Sequence, residues 1–135
     1  MVRARLAALL LIPLAFMLMG ASKIVLTDPD PIAVPAGLKA DEVGKAIKAG
    51  IASRTGWSVT QEASGQIEAT LNVRQHMLKV SIPYSTTQVA IKYVDSQNLD
   101  YSEKKGVKYI HNKWVGWTRN LTADIQRELS RVATK

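Results

Sequence analysis

The chain has 135 residues, no cysteine and a formal charge of +7. That size suits one small domain around a single apolar core, and the missing thiols exclude disulfides, thiolate metal sites and cysteine nucleophiles. A basic balance is one mark of nucleic-acid binding. The N-terminal segment argues for export instead, so nucleic acid is not an expected partner, and the charge reads as a solubility feature or a preference for acidic envelope partners.

Arg3 and Arg5 precede a stretch from Leu6 to Ser22 without a charged residue. A basic start, an apolar run and small residues before the cut make a secretory signal. Gly20 and Ser22 supply the small residues if cleavage falls before Lys23. The competing reading is a retained anchor, but the run is shorter than the ~20 apolar residues that a spanning helix needs, and Pro13 interrupts it. Residues 1–22 are therefore expected to be a bacterial-type signal peptide and the product periplasmic. Membrane contact is expected only if the segment stays attached. Leu18-Met19-Gly20-Ala21 has the form of a lipoprotein signal with Ala21 in place of the lipidated cysteine.

Residues 23–37 carry Pro29, Pro31 and Pro35 with Asp28 and Asp30. Prolines at this spacing remove backbone donors and favour extended chain, so a tether is expected here, with residues 38–135 as the single folded domain. Ile24-Val25-Leu26 is either a short edge strand or the junction after the signal.

A first helix is expected from about Lys39 to Arg54, where Val43, Ile47, Gly50 and Ile51 recur at helical spacing. Asp41 and Glu42 suit its N-terminus, and Thr55-Gly56 its stop. Four strands follow, with Trp57 and Val59, then Ile67, Ala69, Leu71 and Val73, then Leu78, Val80, Ile82 and Tyr84, then Val89, Ile91 and Tyr93 on one face. The expected pairs are Trp57 with Leu71, Val59 with Ala69, Val73 with Leu78, and Tyr84 with Val89. A loop Ala63-Ser64-Gly65 and a turn near Gln75-His76 then join the strands. The other face reads Thr60, Glu68, Thr70, Lys79, Ser81 and Lys92, a solvated surface. A loop is expected from Asp95 through Lys104-Lys105-Gly106. A last helix should start near His111 or Asn112, with Trp114, Trp117, Leu121, Ile125, Leu129 and Val132 as its apolar stripe. The expected fold is α+β: helix, four-stranded antiparallel meander, helix, with both helices packed on one sheet face.

No nucleophile motif is present, and the carboxylates are scattered. His76 and His111 are the only histidines. His76 reads as a solvated turn residue and His111 as a local cap at the last helix. No catalytic, metal or cofactor-binding residue is assigned. The segment from Tyr101 to Arg119 is the candidate interaction surface: Tyr101, Lys104, Lys105, Lys108, His111 and Lys113 put aromatic and basic groups together. Such groups can stack on sugar rings or meet anionic polymers. The competing reading makes the aromatics core and the lysines a solvated loop.

Several short motifs follow in order: Gly56-Trp57, Ile82-Pro83-Tyr84, Tyr93-Val94-Asp95-Ser96, Asn98-Leu99, Tyr101, Ile110-His111, Trp117 and Asn120-Leu121. On these the chain resembles a family of small, largely uncharacterised bacterial envelope proteins of lipoprotein-like type. The family's pattern runs Ile-His, two variable residues, an aromatic-Asn pair, Trp and Asn-Leu. Here Trp114 stands at the aromatic position and Val115 replaces the asparagine, while Ala21 replaces the lipid-accepting cysteine. The resemblance implies an envelope location and an α+β fold, and it carries over no particular enzymatic activity. The expected function is a non-enzymatic binding module for an envelope protein or anionic polymer. The competing expectations are a small wall-directed hydrolase or inhibitor, and a membrane-tethered structural protein using residues 6–22 as anchor.

Overall fold

The structure is a computed structural model that describes residues 22–135. Apart from Ser22, the expected signal segment lies outside the described residues. In chain order the elements are β1 (Lys23–Val25), β2 (Ile32–Ala33), α1 (Ala40–Ala52), β3 (Trp57–Ala63), β4 (Gln66–Val73), β5 (His76–Pro83), β6 (Gln88–Val89), β7 (Lys92–Gln97), β8 (Ser102–Lys104), β9 (Val107–His111) and α2 (Lys113–Ala133).

The fold is α+β, but the single-sheet architecture is corrected. The described strands form three sheets, ordered β3-β4-β5-β7, β1-β9-β8 and β2-β6. The antiparallel meander is therefore one sheet of three. The others come from strands too short or too polar to show a period of two: β2 and β6 have 2 residues each, and β8 reads Ser-Glu-Lys. Residues 23–37, where a tether was expected, hold β1 and β2. Ile32 is 2% exposed within the core, and the Trp114 indole N–H donates to the Thr27 carbonyl at 2.9 Å.

α1 forms where the apolar spacing places it. The Lys39 N–H donates to Glu42 Oε1 at 2.9 Å, and Asp41 and Glu42 sit at the positive end of the helix dipole. Beyond its end, Gly56 has φ +97°. A Cβ there would lie 3.0 Å from the Asn72 carbonyl oxygen, so β4 passes too close for any other residue.

In the meander, Trp57 pairs with Leu71 and Val59 with Ala69, as the alternation requires. A bulge then shifts the register, and Ala63 pairs with Gln66, which leaves Ser64 and Gly65 in the turn. Leu78 pairs with Leu71 rather than with Val73, and Val73 pairs with His76. This slip of two residues keeps every side chain on its expected face while drawing His76 into the strand. Tyr84 and Val89 form the expected bridge.

The helices do not simply lie on one sheet face. They pack on each other, and the core they share takes inward residues from all three sheets: Ile32 and Val89, Ile67, Leu78 and Ile82, and Ile110. α2 buries Trp114, Leu121, Ile125 and Leu129. It also buries Asp124, whose carboxylate accepts from Arg54 Nε at 2.8 Å and from Arg127 Nη1 at 2.9 Å. This ties the end of α1 to the middle of α2. Among the described residues no helix is long and apolar enough to cross a membrane.

Candidate functional site

The expected loop around Lys104-Lys105-Gly106 is a β-hairpin. β8 and β9 pair through Ser102 with Tyr109, Glu103 with Lys108 and Lys104 with Val107. Lys105 at φ 52° and Gly106 at φ 79° make the turn. Two successive positive φ values belong to a type I′ turn, whose twist matches the flanking strands. β9 also pairs with β1, through Lys23 with His111, Ile24 with Ile110 and Val25 with Tyr109. The edge-strand reading of Ile24-Val25-Leu26 thus has its partner almost ninety residues further along the chain.

Because successive side chains in a strand face opposite ways, these registers sort the sheet into two faces. The inner face holds Ile24 and Ile110 against the core, with Glu103 and Lys108 opposite one another at its open end. The outer face holds Lys23, Val25, Ser102, Lys104, Val107, Tyr109 and His111. Val25 is 52% and Val107 39% exposed, which is high for valine in a sheet. Lys23 Nζ donates to Ser102 Oγ at 3.2 Å, so its ammonium is held over this face. No carboxylate belongs to the face, since Glu103 points the other way.

The structure divides the candidate residues among three environments. Lys104 and His111 share the outer face at opposite ends, and Lys105 stands at the hairpin tip next to Lys104. Tyr101 and Lys108 belong to the inner side. There Tyr101 stacks on Tyr93 with ring centroids 4.9 Å apart and planes 5° from parallel, and Tyr93 meets Trp114 edge-on at 6.0 Å. Burial raises the Tyr93 phenol above its ordinary range, against the opposing hydrogen bond with Ser96. Lys108 borders a small cleft of about 230 Å³ with Leu26, Asp28 and Tyr93. Lys113 leaves the surface altogether, its Nζ lying 3.5 Å from His76 Nε2.

The histidines act locally. His111 Nδ1 accepts the Lys113 N–H at 3.1 Å, a cap on the first turn of α2. His76 Nδ1 lies 2.7 Å from the Asn98 carbonyl. A carbonyl only accepts, so Nδ1 carries the proton and Nε2 is left to accept from Lys113. The ring also packs against Trp117 at 5.8 Å, and Asn98 Nδ2 donates to the Gln75 carbonyl at 2.7 Å. Together these contacts latch the β4–β5 turn to the end of β7 and the start of α2. His76 is therefore a tied strand residue rather than a solvated turn residue.

The carboxylates Glu62 and Glu68 engage separate partners: Glu62 pairs with Lys48 of α1 at 3.3 Å, and Glu68 Oε2 accepts from Thr60 Oγ1 at 2.8 Å. A groove beside α2, about 320 Å³, runs between Pro29–Ile32 and the helix. Asp30 is its single carboxylate.

Sequence reasoning missed Lys23 and Val25 as surface residues. The pairing that brings them to the hairpin is long-range, and no local pattern reports it. No family model, curated protein or solved structure matches the chain.

Proposed function

We propose that this protein is a non-enzymatic interaction module of the bacterial cell envelope, exported by its N-terminal segment and related to the small lipoprotein-like envelope proteins that its motifs resemble. The observation that carries the reading is the outer face of the β1-β9-β8 sheet. It is basic, partly apolar and exposed, and no carboxylate lies on it. Monomeric surfaces rarely leave apolar groups grouped in the open unless they meet something, and a face of one charge sign selects acidic partners. A binding role is favoured over a hydrolytic one because Glu62 and Glu68, although both border one groove of about 350 Å³, are each engaged by a different partner, Lys48 and Thr60. A glycosidase needs two carboxyl groups facing one bond.

Charge reversal tests the reading. Replacing Lys104 and Lys105 by Glu should weaken retention of the protein on native envelope material or an anionic wall polymer, with folding unchanged by circular dichroism. Retention equal to that of the parent would remove the hairpin from consideration.

A further inference from the structure

We infer that the outer face of the β1-β9-β8 sheet lies on an anionic phospholipid surface. The inference rests on the envelope reading above and names the partner for it. Its first support is how close the charge-free run lies to the sheet along the chain. The Ser22 carbonyl accepts the Asn112 N–H at 2.7 Å, and β1 starts at the next residue. No slack therefore separates the charge-free run ending at Ser22 from the sheet. At about 3.3 Å per residue, Val25 lies within roughly 10 Å of the end of that run. When the run is in a bilayer, β1 has to sit at the headgroups.

The second support is the chemistry of the face that arrives there. Lys23 and Lys104 flank the exposed Val25 and Val107, and Lys105 projects from the adjacent tip. Lysine stems cover apolar surface while their ammonium heads reach phosphates, and basic groups beside a membrane segment are drawn to anionic leaflets. Tyr109 on the same face has the amphipathic ring that suits the interface. Glu103, the one carboxylate within the three strands, lies on the opposite face. A membrane-facing surface also explains why valines stay exposed on a sheet whose other face packs Ile24 and Ile110 against the core.

The chain has no cysteine, so one introduced thiol reports one place. In the full chain, V107C carrying an environment-sensitive fluorophore is reconstituted into phosphatidylcholine vesicles with and without phosphatidylglycerol. S102C on the same face is the second probe, and T86C in the distant β5–β6 turn is the control. The expected result is a blue shift and quenching by doxyl-lipid at positions 107 and 102, only with phosphatidylglycerol, and aqueous emission at 86. In the triple variant K23E/K104E/K105E the signal should fall, with each lost lysine weakening the contact roughly five-fold. Aqueous emission at 107 and 102 in vesicle-bound protein overturns the inference, as does an equal signal at 86 or in neutral vesicles. A lipid-free signal that grows with protein concentration assigns the face to a second copy and also overturns it. If the vesicle signal is absent while the lysine variants still lose retention on envelope material, the lipid assignment falls and the interaction reading stands. If retention is also unchanged, both fall.

Discussion

Gly50 marks a close approach of the two helices, and a single methyl group tests it. A Cβ built there would lie 3.0 Å from the Ile125 amide nitrogen, 3.1 Å from the Asp124 carbonyl carbon and 3.1 Å from Ile125 Cα. Comfortable carbon contacts fall at about 3.5–4.0 Å, so α2 would have to move away by roughly 0.5 Å. The obstacle is the backbone of a buried helix and not the tip of a side chain. The upper part of the overpacking range of about 1–3 kcal/mol therefore applies. Against it stands the gain in helix propensity from Gly to Ala, about 1 kcal/mol. Gly50→Ala should lose about 1–2 kcal/mol net. Gly116→Ala is the matched control. It is the same chemical change in the exposed first turns of α2, where an added Cβ meets nothing within 4 Å, so only the propensity gain of up to about 1 kcal/mol remains. Urea melts of the two variants should shift in opposite directions, with the m-value unchanged. A Gly50→Ala midpoint at or above that of the parent would refute the close-packing argument.

Asp124 links stability to pH. The hydrogen bond from Arg54 is the largest influence holding its carboxyl below the ordinary range; burial opposes, and Arg127 adds to the lowering. A depressed folded-state value means the stabilisation is present above the unfolded carboxylate value, about 3.9, and is lost as pH falls through the lower folded value. Asp124→Asn should be less stable at neutral pH and should lose less than the parent on acidification. Equal slopes in parallel acid melts would refute this. Trp114→Phe removes the indole bond to the Thr27 carbonyl and should cost at least about 1 kcal/mol. Limited proteolysis should then show faster cleavage around residues 27–31, and an unchanged rate would mean that the bond does not hold the segment.

The parts of the fold that the sequence made legible share one physical property: a buried face with a regular period. Ile67, Ala69, Leu71 and Val73 alternate, and Leu121, Ile125 and Leu129 step by four, because each set meets the same core. That signal also explains the register error at Leu78. A period of two fixes which face a residue takes but not which partner stands opposite, so slips of two residues look alike until the turn is known. The Arg74-Gln75 turn, with Arg74 at φ 55°, decides it. Sheets β1-β9-β8 and β2-β6 were hidden for a different reason. Their strands bury at most one side chain each, and β1 and β2 find their partners far along the chain. The candidate surface was half legible as a result. The lysines of the hairpin are contiguous and could be singled out, whereas Lys23 and Val25 join them only through tertiary pairing. Lys113, close in sequence, is turned away to His76 by the start of α2.

If the export reading holds, the position of Ser22 gives cleavage before Lys23 a consequence for the proposed surface. Cleavage before Lys23 removes the carbonyl that accepts the Asn112 N–H, a backbone bond worth about 1 kcal/mol. It also creates an α-ammonium group on Lys23, at the edge of the outer face. Such a group titrates near 7.7–8.0, so the face gains positive charge as pH falls through that window and is more basic in the processed chain than in the precursor. The processed chain should therefore melt slightly earlier than the precursor. Its affinity for phosphatidylglycerol vesicles should rise as pH is lowered from about 9 to about 7, and an N-acetylated chain of the same length should show no such rise. Mass spectrometry of the native N-terminus establishes which form is present. A processed chain whose vesicle binding is flat across that window would show that residue 23 stands away from the lipid, and the orientation argued from β1 would be wrong.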